Sequence, residues 1–276
     1  MVPKEPGSPS RMTRIARWSR ARPVYPIDGP VHPGRAALYS HIRCTPVPHV
    51  HPPRRPEVVI VPPARPIGPQ TAPSLLFAEA YAAEDIVLQT ARGLAHELGL
   101  DSVTPAAGSV LRVLAAAGNA KAVVEIGTGT GVSGVWLLRG MRPDGVLTTI
   151  DVENEHQRIA RRIFLEAGFV SSRTRIITGR ALDVLPRLAD GVYDLVFVDA
   201  DATEFGACAE AALRLLRPGG VLVVNGAMAN GRISDPAARD VDTLTIRETV
   251  RSVREAEEWI AAVIPSGAGL LTAVKR

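Results

Sequence analysis

Three glycines spaced two apart, Gly127, Gly129 and Gly131, follow an apolar, β-branched run over residues 122–126. Twenty residues beyond Gly131, Asp151 closes a second apolar run over residues 146–150. These residue types at this spacing suit recognition of a nucleotide-like ligand. Glycine admits positive φ and lets a ligand lie against the main chain. Residues 132–141 read as a helix, with Val135, Leu138 and Met141 at helical spacing, so its unpaired N–H groups face an anion at the turn. A carboxylate at the end of the second strand can accept from both hydroxyls of a ribose. Strand, turn, helix, strand and terminal acid form half of a nucleotide-binding α/β sheet. A tight turn between packed elements is the plainer alternative, and the two strands and the acid favour a ligand.

Around this unit the strand–helix alternation continues. Residues 74–99 read as one or two helices broken near Ala83-Glu84, with Ile86, Ala91, Leu94 and Leu98 on one apolar face. Thr104 and Pro105 mark a helix start, with Val110, Leu111 and Leu114 facing the core. His96 reads as a surface histidine of the preceding helix. After Asp151 come a helix over 154–168, a strand over 173–178, a short helix over 183–188 and a buried strand over 194–198. The last of these runs into Asp199-Ala200-Asp201. A helix over 203–216 ends at the turn Arg217-Pro218-Gly219-Gly220, before a fifth strand over 221–224. A long helix over 240–259 precedes a β-hairpin of strands 260–264 and 270–274.

The chain of 276 residues carries +4 net charge, but the charge is unevenly placed. Residues 1–70 hold eleven Lys and Arg against three acids, with 16 of the 23 prolines and four of the six histidines. The remainder holds 21 basic and 25 acidic residues, net −4, so the body has no global charge suited to nucleic acid. Residues 1–72 read as a disordered Pro/Arg-rich leader and 73–276 as the folded domain. Three readings of the leader stay open: a solvated basic tail, a mis-assigned start, or an arm for nucleic acid or membrane. Its histidines, at 32, 41, 49 and 51, lack metal-ligand spacing. Two cysteines, Cys44 and Cys208, are too few for a disulfide framework, and a reducing cytoplasm is the default. No apolar run is long enough to span a membrane.

The run Glu125-Ile-Gly127-Thr-Gly129-Thr-Gly131, with Val132-Ser133 after it, differs from the G-x-G-x-x-G of dinucleotide folds. It resembles motif I of class I S-adenosylmethionine (SAM) methyltransferases, and in particular the small-molecule O-methyltransferases that include the catechol and caffeoyl-CoA enzymes, in a short actinobacterial branch. The resemblance covers roughly residues 75–276. It implies a Rossmann-like α/β sheet, mostly parallel with the last strand antiparallel, under an N-terminal helical cap. It implies SAM as cofactor and a small-molecule methyl acceptor. Glu125, Gly127, Thr128, Gly129 and Gly131 resemble the turn under the methionine part of SAM, and Ser133 the serine that holds its carboxylate. Asp151 resembles the ribose acid, Arg180 and Ala181 the adenine lining, and Asp199 the first metal-ligating aspartate, which also borders the cofactor. Asp199 or Asp201 is then the expected base. Family members often dimerise through the helical cap, although no stripe in this sequence marks a dimer.

The catalytic half departs from that pattern. The lysine expected after Asp-Ala-Asp is Ala202, the following aromatic is Phe205, and the Asp-Asn ligand pair reads Asn225-Gly226. One carboxylate survives of three ligands, so a tight divalent site is not expected. Two other functions compete with O-methylation: a SAM-binding relative without turnover, acting as a sensor or partner subunit, and a nicotinamide-dependent dehydrogenase. The closing hairpin and the lack of a Tyr-x-x-x-Lys argue against the last.

Overall fold

The computed structural model describes residues 72–276, so the readings of the leader lie outside the described residues. Two helices, α1 (Ala72–Tyr81) and α2 (Ile86–Glu97), form the first apolar segment, with the break near Ala83-Glu84 that the sequence predicts, and α3 spans Pro105–Ala117. Asp85 caps α2 by accepting from Leu88 N, and Thr104 caps α3 by accepting from Ala107 N, with Pro105 in the first turn.

Seven strands then form one sheet in the order β3-β2-β1-β4-β5-β7-β6. They are β1 (Ala122–Ile126), β2 (Val146–Asp151), β3 (Thr174–Thr178), β4 (Tyr193–Val198), β5 (Leu216–Asn225), β6 (Trp259–Ile264) and β7 (Leu270–Lys275). The helices between them are α4 (Val132–Gly140), α5 (Asn154–Glu166), α6 (Ala181–Val184), α7 (Phe205–Leu215) and α8 (Val241–Glu255). Strands β1 to β5 pair in parallel, and β7 runs antiparallel to both β5 and β6. The architecture is the one that the resemblance implies.

The period-two alternation of each central strand divides the core between the two faces. Val124, Ile126, Val196, Val198, Leu222 and Val224 meet α6, α7 and α8. Val123, Leu195, Phe197, Val221 and Val223 meet the helices α2 to α5 on the other face. Strand order reverses between β1 and β4, and their carboxyl ends open there, the place where α/β sheets bind ligands.

Two elements differ from the sequence reading. The helix expected over 240–259 ends at Glu255, because Ala256 turns extended and the buried Trp259 begins β6 opposite Lys275. The turn expected at Arg217–Gly220 lies inside β5. The β4–β5 register shifts between the Tyr193–Leu216 and Leu195–Val221 pairs, so the extra residues form an irregularity within the strand.

Candidate active site

The turn after β1 sets the geometry. Gly127 has φ +93°, Gly129 +48° and Gly131 +92°. Gly127 N donates to Ile150 O at 2.9 Å, and Asp199 N donates to Ile126 O at 2.8 Å, so the turn is laced to both neighbouring strands. Thr130 Oγ1 donates to Ala91 O at 2.8 Å, tying the turn to α2.

Asp151 ends β2 and borders the turn. Its Oδ2 accepts Gly129 N and its Oδ1 accepts Glu153 N, each at 2.9 Å. The acid therefore shapes the turn as well as facing the ligand space. His156 Nδ1 lies 3.4 Å from Asp151 Oδ1.

A cavity of about 390 Å³ opens over these residues, within the range of about 300–1,000 Å³ usual for small-molecule sites. Gly127, Thr128, Gly129, Ser133, Asp151, Ala181, Asp199 and Asp201 all line it. Three expected residues do not. Gly131 is buried, facing Ala160 and Phe164 of α5. Glu125 lies behind the turn with no exposed surface. The Arg180 side chain is exposed and does not line the cavity, although it reaches the lining residue Glu204 at 3.5 Å. His156, and Asp101 from the α2–α3 connection, also line the cavity. Nothing in their spacing could have marked them, since the chain fold alone brings them there.

The acids differ in character. Burial pushes Glu125 up from 4.5 to about 7, against the hydrogen bonds from Thr149 and Ser133 and with help from the charges of Asp199 and Asp151. Burial also pushes Asp199 up to about 6, opposed by its bond from Asn225 and aided by Asp101. The side-chain and backbone bonds from Thr203 hold Asp201 below its ordinary value.

The donor set for a divalent cation is poor. Asn225 Nδ2 donates to Asp199 Oδ1 at 2.9 Å, occupying an oxygen that a cation would need, while Asn225 Oδ1 is buried without a partner. Gly226 contributes no side chain. Among the described residues no three His, Cys, Asp or Glu are grouped to hold a metal. These residues do not fit a magnesium ion, which relies on one or two carboxylates with further oxygen donors.

A parallel sheet that reverses at β1 and β4, with a glycine turn, a strand-terminal acid and a cavity above them, defines a Rossmann-like protein built for a nucleotide-type ligand. The sequence matches the O-methyltransferase family over residues 79–276, and the chain belongs to that family. A Mycobacterium marinum relative is 52% identical over 198 residues, 72% of this chain and 88% of its own. A solved Corynebacterium glutamicum structure aligns with TM-score 0.70 at 36% identity, covering 75% of this chain and 97% of that one. The O-methyltransferase TomG from Streptomyces achromogenes, solved in complex with SAM, aligns with TM-score 0.66 at 31% identity, covering 74% and 96%. Membership of this family sets the dehydrogenase reading aside.

Proposed function

We propose that this protein transfers the methyl group of SAM to a hydroxyl of a small molecule, with Asp199 as the base and no metal ion in the reaction. The observation that carries this is the cavity, in which the glycine turn, Asp151 at the end of β2 and Asp199 at the end of β4 converge. The SAM-bound relative TomG supports the choice of cofactor. SAM supplies a methyl group made electrophilic by its sulfonium. Asp151 would hold the ribose, Gly127 to Gly131 the amino-acid end, and Ala181 the adenine side. Arg180 would meet the adenine from the rim, where it already reaches Glu204.

Asp199 is the better base of the two candidates. A phenol with pKa near ~10 costs about 4 kcal/mol to ionise at pH 7. Raising a carboxylate from 3.8 to about 6 reduces the cost of passing it that proton by about 3 kcal/mol. Asp201, shifted the other way and bonded to Thr203, offers no such gain. Alignment of acceptor and methyl in the cavity would supply much of the remaining rate.

Calorimetry with SAM, with and without magnesium, followed by methyl-transfer assays against hydroxylated small molecules, tests the proposal. Absence of SAM binding would remove it. Binding with no transfer to any acceptor would leave the sensor reading. Magnesium should neither tighten SAM binding nor support turnover, and EDTA should have little effect. Asn225→Asp with Gly226→Asn should create magnesium binding. Gly226 has φ +83°, a strain that asparagine bears better than other side chains, and a Cβ there has room, meeting only the Phe205 ring at 3.8 Å. Tight magnesium binding by the unaltered protein, lost on Asp199→Ala, would return it to metal-dependent chemistry.

Asp151→Ala should weaken SAM binding by about 1.5–3 kcal/mol, because the ribose loses charge-assisted bonds and Gly129 N its acceptor. Titration of the folded variant by calorimetry reads this directly, and unchanged affinity would take Asp151 out of the site.

Three further readings belong to the same proposal. The domain stands on residues 73–276, so removing residues 1–70 should leave melting temperature and SAM affinity nearly unchanged; a large drop in either would refute this. The α1 helix carries Leu76 and Phe77 each 70% exposed, and this face suits self-association into a homodimer. Sedimentation as a monomer at tens of micromolar would exclude that dimer. Among the described residues no helix is long and apolar enough to cross a membrane. The cytoplasm, where Cys208 would stay reduced, is the proposed compartment.

A further inference from the structure

Six carboxylates line the cavity, those of Asp101, Asp151, Glu153, Asp199, Asp201 and Glu204. Among the described residues no Lys or Arg lines it, and His156 is the one basic side chain there, 3.4 Å from Asp151. Arg180 meets Glu204 from outside the lining. Bound SAM changes this balance little. Its sulfonium and ammonium exceed its carboxylate by one charge, against six acids.

The acids divide between the two ligands. Asp151 and Glu153, at the end of β2, belong to the ribose side of the proposed cofactor site. Asp199, Asp201 and Glu204 follow β4, and the charge of Asp101 reaches Asp199. An acceptor that gives its proton to Asp199 must lie among these four. Asp201 is engaged by Thr203 N and Oγ1, Asp199 by Asn225 Nδ2 and Glu204 by Arg180.

Asp101 is the exposed member on the facing wall, and main-chain bonds on both sides hold that wall in place. Leu100 N donates to Ala95 O at 2.9 Å, and Val103 O accepts from Arg92 Nη2 at 2.8 Å. Thr104 then caps α3. Arg92 does not neutralise Asp101, because its guanidinium is forked onto Glu84, Nε to Oε2 at 2.9 Å and Nη2 to Oε1 at 2.6 Å. Charge acts here without contact. In a cleft with low-dielectric walls a carboxylate is felt over several ångströms, and the walls focus its field.

We propose that Asp101 is a specificity-determining residue for the methyl acceptor, and that the acceptor class it selects carries a positive charge, such as an ammonium, besides its hydroxyl. Acceptors bearing a carboxylate or a phosphate are turned away by the same field. The inference rests on the SAM-dependent reading above and adds the charge of the acceptor to it. Selection comes from repulsion of the wrong charge as much as from attraction of the right one.

The test uses three phenols of one shape and different charge: tyramine, 4-ethylphenol and 4-hydroxyphenylacetate. Each is titrated by calorimetry at pH 7.5 into the full-length protein loaded with S-adenosylhomocysteine. The wild type should bind tyramine most tightly and 4-hydroxyphenylacetate least, with about tenfold between them. High salt should narrow that ratio. Asp101→Asn should cut it by about threefold or more, and Asp101→Lys should shift it further toward the carboxylate, while 4-ethylphenol serves as the uncharged reference in every titration. A change in the fold alone would weaken all three phenols together and leave their ratios unmoved. Retained binding of S-adenosylhomocysteine shows that the variants are folded, and the salt series on the wild type carries the test if they are not. Equal affinities in the loaded wild type, tighter binding of the carboxylate, binding of none of the three, or a ratio unmoved by Asp101→Asn overturns this inference alone. Failure of the wild type to bind S-adenosylhomocysteine overturns the cofactor reading and this inference with it.

Discussion

Gly127→Ala should abolish measurable SAM binding and cost the domain about 3 kcal/mol or more. The backbone at residue 127 has φ +93°, which costs a residue with a side chain about 1–2 kcal/mol. Steric overlap adds more. A Cβ at this position falls 2.0 Å from Asp199 O and 2.9 Å from Asp199 C, both main-chain atoms. Neither strand can yield locally, because Asp199 N is bonded to Ile126 O and Gly127 N to Ile150 O. Forcing β1 and β4 apart costs about 1–3 kcal/mol beyond the backbone strain and displaces the carboxylate proposed as the base. Urea unfolding and calorimetry on the variant measure both losses. An alanine variant with wild-type stability and affinity would show that the turn is not seated against Asp199.

The second large effect is a dependence of stability on pH. Glu125 titrates near 7 in the folded protein and near 4.5 ordinarily. The folded state therefore holds this proton over a range where the unfolded chain has lost it. The stabilisation is fully present below pH 4.5 and is lost as the pH rises through 7. The shift corresponds to about 3 kcal/mol. Asp199, raised to about 6, acts in the same sense, so the useful quantity is a difference between two proteins. Between pH 5 and pH 8 the wild type should lose about 2.5 kcal/mol relative to Glu125→Gln, in which residue 125 cannot titrate. Urea unfolding of the unliganded proteins at the two pH values checks this. Parallel pH profiles would mean that Glu125 stays ionised throughout.

The same carboxylate shows what could and could not be read from the sequence. The β1–turn–α4–β2 unit was legible because its signals are local: the glycines, the strand runs and Asp151 all fall within thirty residues. The helix start at Thr104 follows from a side chain that bonds three residues ahead. Glu125 stands out by its place before the glycines. Its partners Ser133 and Thr149 are 8 and 24 residues away, and only the parallel register that sets Glu125 opposite Thr149 brings the second within reach. Asp101 and His156 escape notice as cavity residues for the same reason. Arg180 sits on its expected turn, but side-chain direction there depends on Glu204, 24 residues further on. The overlong helix before β6 comes from reading helical periodicity past Ala256. That backbone turn leaves no mark in composition.

The position of β7 bears on how the domain assembles. It follows β6 in the sequence but lies between β6 and β5, with Leu270, Leu271 and Ala273 buried. As the chain emerges from the ribosome, β6 therefore has no edge to join until β7 has been made. Until then β5 presents unpaired backbone groups and an apolar run, the kind of edge that recruits other strands. Lys275 Nζ then fastens the inserted strand by donating to Leu213 O at 2.7 Å and Leu216 O at 2.8 Å. Closure of the sheet is a late, long-range step, and a nascent chain paused before residue 270 is the species most exposed to aggregation.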